Sequence, residues 1–338
     1  MRRRTLLSAS LGLGALLGAA PVVNSSARLG SGALAGLTLY SGSGLAFGTT
    51  VTIKVLHDDA QAADAAIQYA LQQVKLVDAL MSLHQERSQI FQLNRRGSLQ
   101  APDKHVLHVL AFSQQLARLT AGAFDITVQP LWDLFSRAKA QGTLPTPEQI
   151  AATKPLVDWR RLEVSRQQVR LRGAGAAITL NGVAQGYAVD LAIDALRDRG
   201  VRHALLDTGE FGAMGRKSRD QQWALGIGHP RRHDALSAVV GMDGRKVATS
   251  GDYATFFSPD YRHHHIFDPA TGDSPLELAS VTVVAPTGLQ ADGLSTAFMV
   301  MGAEKSFALA ARMPNVDALL IDKSGALRKT SGFPELQT

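Results

Sequence analysis

The chain has 338 residues, of which 45% are hydrophobic and 19% charged, a composition typical of globular proteins that excludes a chain dominated by disorder. The formal net charge is +6, but Arg2, Arg3 and Arg4 lie in a segment typical of a leader, and subtracting those three charges leaves +3. An excess this small and scattered argues against a nucleic-acid-binding protein. Because the sequence contains no cysteine, we expect no disulfide, no thiolate catalysis and no lipid-bearing cysteine.

An export pattern opens the sequence. Residues 3–7 read Arg-Arg-Thr-Leu-Leu, which matches the twin-arginine pattern, and the apolar stretch that follows to residue 20 is too short to span a bilayer comfortably. We therefore predict a twin-arginine export signal at residues 1–27 and a periplasmic protein, either free or peripheral to the inner membrane. A retained N-terminal anchor is the alternative. A linker rich in Gly, Ser and Ala is predicted at residues 28–44, and a single globular domain at residues 45–338.

The first part of this domain is predicted to be mainly helical. Residues 50–55 alternate with β-branched side chains and predict a strand. Asp58 or Asp59 is a suitable N-cap for a helix that runs to about residue 81, and a second helix is predicted at residues 103–120. The first helix has an apolar face at helical spacing, formed by Ala63, Ala66, Ile67, Ala70, Leu71, Val74, Val77 and Leu80.

Strands dominate the middle of the chain, and helices lie mostly on its flanks. This order predicts an α+β fold with a largely antiparallel sheet and flanking helices, in contrast to alternating βαβ units. Asp243-Gly244 is a favourable hairpin turn between two of the strands. The prolines of residues 140–158 predict a surface excursion. Helices are predicted at residues 186–199, 290–301 and 304–312, and strands at residues 162–164, 169–171, 177–180, 203–206, 223–227, 238–242, 246–250, 264–267, 281–285 and 318–321.

A glycine-containing connection is the first candidate for chemistry. Residues 179–190 read Thr-Leu-Asn-Gly-Val-Ala-Gln-Gly-Tyr-Ala-Val-Asp, so a predicted strand turns into a helix through two glycines. Such a turn brings free backbone N–H groups and the positive end of a helix to one place, which suits a phosphate. The same pattern also serves as a packing device between a strand and a helix, and this alternative stays open.

Three oxygen-bearing side chains form a second candidate. Asp292, Ser295 and Thr296 have the spacing i, i+3 and i+4, which places them on one face of a helix. A carboxylate and two hydroxyls are hard ligands that suit Mg²⁺ in a phosphate site. The alternative is an ordinary helix N-cap with polar neighbours.

Other polar residues are less specific. Asp125 lies between apolar residues, where it is either a site residue or a capping aspartate. His263, His264 and His265 precede a turn, but the sequence offers no second cluster that would complete a zinc site. We expect one of the three to lie near phosphates or to act as a base, and at least two to be ordinary edge residues. Residues 207–210 follow a strand and are a candidate site rim.

The ordered set of these segments resembles the ApbE family, the FAD:protein FMN transferases. The resemblance runs from about residue 45 to residue 312. It includes residues 88–94, a polar segment that we predict to be a loop, and the run Gly-Ala-Phe-Asp-Ile-Thr-Val-Gln-Pro-Leu at residues 122–131. The remaining segments follow in the family's order at residues 181–190, 250–253, 265–272 and 291–296.

This resemblance implies an ApbE-like (T-fold-related) single domain that uses FAD as substrate with Mg²⁺. It implies that Asp292, Ser295, Thr296 and the backbone carbonyl of Gly182 hold the metal, and that His265 lies close to the pyrophosphate. Asp292 and His265 would then be the catalytic residues. The implied reaction moves FMN from FAD to a threonine or serine hydroxyl of a partner flavoprotein and releases AMP. The implied contacts with FAD are Phe47, His84, Ala123, Phe124, Asp125, Thr179, Gln185 and Phe267.

Several positions depart from the family's pattern. Phe47 and His84 replace a methionine and an aromatic residue, and Thr179 and Gln185 replace charged residues. Gln185 and residues 207–210 are similar to the branch associated with nitrous-oxide reductase maturation, which would make the acceptor that system's membrane-bound flavoprotein. The family's acceptor motif is Asp-Gly-x-(Ser/Thr)-Gly-Ala-(Ser/Thr). Because Thr296 occupies its required glycine position, we interpret residues 292–296 as a metal site and not as a self-modification site.

Two other functions remain compatible with the sequence. If water replaces the acceptor, the same site gives a periplasmic FAD pyrophosphatase. The atypical residues Phe47, Thr179 and Gln185 also allow a non-catalytic FAD-binding assembly factor.

Overall fold

A computed structural model describes residues 25–27 by their backbone, and residues 34, 36–232 and 234–337 in full. The predicted twin-arginine stretch lies outside the described residues. In the part of the chain that is described, no helix is long and apolar enough to cross a membrane.

A nine-stranded, fully antiparallel sheet forms the centre of the molecule, in the order β1-β2-β3-β7-β8-β11-β12-β13-β14. A hairpin of β9 and β10 and a small sheet in the order β4-β6-β5 accompany it. The strands are β1 Ser25–Ala27, β2 Thr38–Ala46, β3 Thr49–His57, β4 Ser98–Gln100, β5 Leu162–Val164, β6 Gln168–Leu171, β7 His203–Asp207, β8 Phe211–Met214, β9 Ala224–Gly228, β10 Leu236–Gly241, β11 Lys246–Gly251, β12 Leu278–Ala285, β13 Asp317–Asp322 and β14 Leu327–Lys329.

Helices cover one face of the main sheet. Of these, α6 packs against both α1 and α7, and all three pack on strands of the sheet, while part of the other face packs against β9 and β10. All eight residues of β12 are buried, as expected for a strand covered on both faces. The α+β prediction is therefore confirmed. The helices are α1 Ala60–Met81, α2 Gln89–Arg96, α3 Lys104–Leu119, α4 Gln129–Ala140, α5 Pro147–Thr153, α6 Ala184–Arg197 and α7 Gly288–Ala310.

Local capping explains where the first helices begin. Asp59 accepts a hydrogen bond from the Ala62 amide at 2.9 Å, and its N-cap role confirms the predicted start of α1. Seven of the eight residues of the predicted apolar face are buried, and Leu80 packs half-buried against the same core. Asp103 caps α3 in the same way and confirms the second predicted helix.

The loop predicted at residues 88–94 is wrong, because most of this segment belongs to α2. Ser88 is its N-cap and accepts a hydrogen bond from the Phe91 amide at 3.0 Å, while Gly97 ends the helix in the left-handed conformation. Ile90 and Leu93 turn inward and are buried, so two buried apolar side chains anchor this short helix in a mainly polar segment.

Two predicted strands are also wrong. Residues 177–180 pair with none of the described strands, because the Asn94 side chain donates to the Ile178 carbonyl and accepts from its amide, both at 2.8 Å. The Thr179 amide donates to the Ile126 carbonyl. Residues 264–267 likewise lie in a loop, which is braced by an isolated bridge between Phe256 and His264.

The hairpin predicted at Asp243-Gly244 does not form. The strand before this turn, β10, pairs with β9, whereas the strand after it, β11, pairs with β8 and β12 in the main sheet. Arg245 holds the connection from β10 to β11 in place, because its guanidinium forms ion pairs with both Asp243 and Asp317.

Strand β2 begins inside the segment that is predicted to be a linker. The linker expected at residues 28–44 gives way to β2 at Thr38, and nine consecutive residues of β2 pair with β3. Its composition of Gly and Ser concealed the strand, since such residues have low intrinsic strand propensity. The backbone hydrogen bonds of the complete ladder with β3 stabilise this strand in spite of its low intrinsic propensity.

Several chain turns meet at one end of the main sheet, which we call the site end. Because neighbouring strands run antiparallel, the β2–β3 turn at Phe47 and Gly48 lies there together with the β7–β8 loop of residues 208–210. The end of β11 at Gly251 and the start of β12 lie at the same end.

We predict that Asn94→Ala lowers the free energy of unfolding by about 2 kcal/mol, since two part-buried hydrogen bonds to Ile178 are lost. Urea denaturation measures this change. Asn181→Ala is the matched control, because Asn181 is exposed. Equal stabilities of the two variants would contradict the role assigned to Asn94.

Candidate active site

The start of α6 lies against the first half of α7. The Gly186 amide donates a hydrogen bond to Asp292 Oδ2 at 2.9 Å, and Asp292 is only 4% exposed. Gly182, just before α6, lies beside Thr296, since a Cβ atom on Gly182 would be 2.8 Å from Thr296 Oγ1. The two segments singled out in the sequence therefore meet in the structure.

Hydroxyl groups extend this contact towards β11. Ser250 Oγ lies 2.8 Å from Ser295 Oγ and 3.3 Å from Thr296 Oγ1. The Ser295 hydroxyl also donates to the Asp292 carbonyl at 2.8 Å. We call Asp292, Ser295, Thr296 and Gly182 the oxygen cluster, and Ser250 joins it to the site end of the sheet.

Glycines make this approach of α6 and α7 feasible. A Cβ atom on Gly186 would lie 2.1 Å from the Gly288 carbonyl oxygen and 2.6 Å from the Asp292 Cβ. One turn further along α6, Asp190 accepts hydrogen bonds from the Gly288 and Leu289 amides at 2.7 and 2.9 Å. Asp190 thereby satisfies free amides of the first turn of α7.

Burial controls the charge of the cluster. It raises the pKa of the Asp292 carboxyl to about 7; the Gly186 hydrogen bond opposes the rise and the nearby Asp190 adds to it. Burial likewise raises the pKa of Glu210 well above its usual range, and the charges of Asp292 and Asp207 add to that rise. Two buried carboxyls near each other are most stable as anions when a cation is present.

The donor set suits one hard cation. Among the described residues, no three His, Cys, Asp or Glu side chains converge on a metal site, so a cation at this place would depend mainly on Asp292. Hydroxyl and backbone carbonyl oxygens next to a single carboxylate fit Mg²⁺, which keeps several waters and uses few protein carboxylates when phosphates are present.

Phe47 and His84 lie at the site end, where the β2–β3 turn meets the end of α1. Phe47 is half-buried with a φ of 53°, and His84 is exposed. Both lie near Asp78: burial raises the pKa of Asp78, whereas the Phe47 backbone and the charge of His84 lower it. Their contact with FAD stays a prediction.

Asp125 has the capping role that the sequence left open. Its Oδ1 accepts from the Thr127 amide and hydroxyl at 2.7 and 2.6 Å, and its Oδ2 accepts from the Trp159 amide at 2.9 Å. Burial raises the pKa of Asp125. Its neighbour Phe124 is buried in the core, whereas Ala123 is half-buried.

A cleft of about 850 Å³ opens beside Ala123 and Asp125. Its wall includes the turn after Phe267 and the part of α7 that follows the oxygen cluster. The cleft is rich in cations, and the acidic residues of its lining are the buried Asp125 and the half-buried Asp158 and Asp268. The cationic lining consists of Arg160, Arg161, Lys305 and Arg312.

Thr179 and Gln185 flank the oxygen cluster. The Thr179 hydroxyl accepts from the Asn181 amide at 3.2 Å. Gln185 Nε2 donates to the Thr208 carbonyl at 2.9 Å, and the Thr208 hydroxyl donates back to the Gln185 carbonyl. Gln185 therefore ties α6 to the β7–β8 loop.

The three histidines have three different environments. His263 contacts Asp273 at 2.9 Å. His264 is fully buried, and burial lowers its pKa to about 3, which makes it a core residue. His265 has its Nδ1 atom 3.0 Å from the Thr255 carbonyl and its ring edge-on to Trp132.

Phe267 lies in an aromatic cluster with Phe135 and Phe257, and only 3% of its surface is exposed. No hydrogen bond among the described residues joins His265 to the oxygen cluster. The roles implied for Phe267 and His265 stay predictions.

Some residues of the site were missed or left vague in the sequence. The sequence indicates Glu210 only as part of a candidate rim, and it gives no sign that Asp190, the last residue of the run 179–190, caps α7. Arg231, which binds the buried Asp252, follows a glycine turn that carries no diagnostic pattern. The contacts of these residues are with partners far away in the sequence, and no local sequence pattern predicts such contacts.

Comparison with known proteins agrees with this geometry. Residues 47–320 match the ApbE family. An FAD:protein FMN transferase of Haemophilus influenzae is 31% identical over 313 residues, which cover 87% of this chain and 90% of that protein. One from Salmonella typhimurium is 32% identical over 310 residues, which cover 87% of each.

Solved structures show the same fold. The apo flavinyl transferase ApbE of Pseudomonas stutzeri matches with a TM-score of 0.74 and 31% identity, covering 87% of this chain and 95% of that one. The ApbE protein of Thermotoga maritima matches with a TM-score of 0.77 and 27% identity, covering 87% and 97%. The chain therefore belongs to the ApbE family. Within it, the chain is an enzyme of the FAD:protein FMN transferase class.

We predict that Gly186→Ala destabilises the protein by at least about 2 kcal/mol, because the added methyl group meets the backbone of Gly288 and cannot be accommodated without separating α6 from α7. Thermal and urea unfolding measure the loss. Gly228→Ala is the control, since a Cβ atom there would meet nothing within 4 Å. A Gly186→Ala variant as stable as this control would contradict the close crossing.

Proposed function

We propose that this enzyme transfers FMN from FAD to a threonine or serine hydroxyl of a partner flavoprotein, in a reaction that depends on Mg²⁺ and releases AMP. The observation that carries the proposal is the oxygen cluster, in which buried Asp292, two hydroxyls and Gly182 meet at the start of α6. The N-cap of this helix, Val183, makes no side-chain cap hydrogen bond, so the positive end of the helix dipole favours an anionic ligand there.

The cluster would hold the cation through Asp292, Ser295, Thr296 and the Gly182 carbonyl. When bound, Mg²⁺ would neutralise charge on the pyrophosphate and stabilise the charge that develops in phosphoryl transfer. The Gly186 amide fixes one carboxylate oxygen of Asp292, so that the other is free to face a ligand. Ser250 orients both hydroxyls of the cluster.

His265 is the proposed base. Because Nδ1 lies 3.0 Å from a carbonyl oxygen, Nδ1 carries the proton and Nε2 keeps its lone pair. Burial lowers the pKa of His265, which favours the neutral ring at neutral pH. In the proposed step the acceptor's hydroxyl oxygen attacks the phosphorus on the riboflavin side and its proton passes to Nε2. The bond from that phosphorus to the bridging oxygen breaks, and AMP leaves with this oxygen.

The cationic cleft is the proposed place for another part of FAD. It follows the oxygen cluster along α7, and its wall contains Ala123 and Asp125, two of the positions that the resemblance assigns to FAD. Its four cations give the cleft a positive field that would attract the anionic FAD. Phe47 and His84 at the site end would contact the flavin, and Thr179, Gln185 and Phe267 would complete the pocket.

The acceptor and the location are also proposals. We propose an acceptor with the motif Asp-Gly-x-(Ser/Thr)-Gly-Ala-(Ser/Thr), held in a membrane-bound flavoprotein of a nitrous-oxide reductase system. Support comes from Gln185 and residues 207–210, which depart from the family's pattern. The twin-arginine pattern at residues 3–7 supports a periplasmic location.

We predict that Asp292→Asn abolishes transfer, because the cluster loses its only carboxylate. The assay mixes enzyme, FAD and Mg²⁺ with a carrier protein that ends in Asp-Gly-Leu-Ser-Gly-Ala-Ser, and intact mass spectrometry detects one added FMN. Asp194→Asn is the control, since Asp194 lies exposed on α6, where it forms an ion pair with Arg197.

The same assay separates the alternatives. Free FMN and AMP beside an unchanged carrier would show a pyrophosphatase. Bound FAD without any turnover would show a binding factor. Transfer by Asp292→Asn at the wild-type rate would contradict the metal role of Asp292.

We predict that the double variant Lys305→Glu/Arg312→Glu weakens FAD binding by about tenfold at low salt, because two cations of the cleft become anions. Quenching of flavin fluorescence measures the affinity. The double variant Arg216→Glu/Lys217→Glu makes the same charge change at exposed positions outside the cleft. Equal losses in both double variants would exclude a specific role of the cleft.

A further inference from the structure

A buried ion-pair network lies next to the loop that carries His265. Asp252 is fully buried and binds the Arg231 guanidinium through both carboxylate oxygens, at 2.7 Å each. Lys323 lies 3.6 Å from the same carboxylate. The bidentate geometry is the strongest form of a charged pair, and one partner without the other would leave a buried charge.

This network joins three parts of the fold. Arg231 comes from the β9–β10 hairpin, Asp252 directly follows β11, and Lys323 directly follows β13. Arg231 also stacks on Tyr261 at 4.3 Å, and Lys323 Nζ donates to the Tyr261 carbonyl at 2.7 Å. Tyr261 belongs to the loop of residues 253–274, so both cations hold that loop as well as Asp252.

The same loop fixes His265. Its amide and its Nδ1 atom both lie 3.0 Å from the Thr255 carbonyl, three residues after Asp252. The charge of Asp252 acts on the ring and favours its protonated form, whereas burial favours the neutral form and lowers the pKa of His265. The state of His265 therefore depends on how completely the charge of Asp252 is neutralised.

We propose that Arg231 is a positioning residue of the transferase site, which neutralises Asp252 and thereby keeps His265 neutral with Nε2 free to accept a proton. The use of that proton acceptor rests on the proposed function. The protonation state of the His265 ring is independent of the proposed function.

The charged and titratable groups around His265 are few. Asp252 acts on it from the end of β11, and His264 adjoins it in the loop, with ring centres 6.4 Å apart. The other neighbour described for the ring is Trp132 on α4, which carries no charge. Behind Asp252 lie Arg231 and Lys323, together with two tyrosines of the loop, Tyr253 and Tyr261.

The sign of the effect follows from these groups. Arg231→Met removes a cation behind Asp252, so the protonated ring is favoured and the pKa of His265 rises. Arg231→Lys keeps a cation and restores most of the wild-type value. Asp252→Asn removes the anion and shifts the pKa in the opposite direction. The pair Arg231→Met/Asp252→Asn removes both charges and returns it towards wild type.

The test titrates the full-length protein by NMR with ¹⁵N-labelled histidine, where His265→Gln assigns the signal. Arg232→Met is the matched control, because Arg232 is the exposed neighbour of Arg231. Opposite shifts in Arg231→Met and Asp252→Asn, with no shift in Arg232→Met, are the expected result. If Arg231→Met does not fold, the Asp252→Asn variant still decides the sign, with Arg231→Lys expected to keep nearly the wild-type pKa.

A second measurement connects the titration with the reaction. The acid limb of kcat/KM for FMN transfer to the carrier protein is expected to follow the His265 titration in each variant. An unchanged pKa of His265 beside reduced transfer would overturn the proposal and leave Arg231 a purely structural residue. If the wild-type protein transfers no FMN, the proposed function fails, while the titration still decides the role of Arg231.

Discussion

The contact between α6 and α7 is the constraint on which the rest of the site depends. The Gly186 amide reaches Asp292 only because neither Gly186 nor Gly288 has a side chain at the crossing. Asp190 then closes the first turn of α7 from the same side. These bonds place the oxygens of Asp292 and Thr296 opposite the start of α6, at the end of the sheet where the β7–β8 loop and β11 arrive.

Burial at this contact determines how readily its carboxyl groups ionise. A carboxyl held away from water by two helices and next to Asp190 resists ionisation, as the raised pKa of Asp292 shows. Glu210 is under the same constraint. A bound cation would relieve both and would also neutralise charge on an anionic substrate. Further along the sheet end, Arg231 and Lys323 neutralise Asp252 by protein groups alone, which makes the two sites electrostatically distinct.

Periodicity and capping were sufficient for the helices of the core, and the two helices predicted after residue 290 correspond to the two halves of α7, which breaks at Gly302. Local sequence patterns gave wrong strand predictions where contacts with distant residues determine the structure. Asn94 replaces a strand partner for residues 177–180, and Arg245 separates two strands that looked like a hairpin. The cluster of Asp292, Ser295 and Thr296 was predictable from spacing, whereas the partners Ser250 and Glu210 required the register of the sheet.

The most direct test of this account is a crystal of the protein with FAD and Mn²⁺, whose anomalous scattering locates the ion in place of Mg²⁺. The account predicts one peak at about 2.0–2.4 Å from the free oxygen of Asp292, with the Thr296 hydroxyl beside it and the pyrophosphate facing the start of α6. An ion bound elsewhere, or FAD bound with its pyrophosphate away from the oxygen cluster, would contradict the assignment of this contact as the catalytic centre.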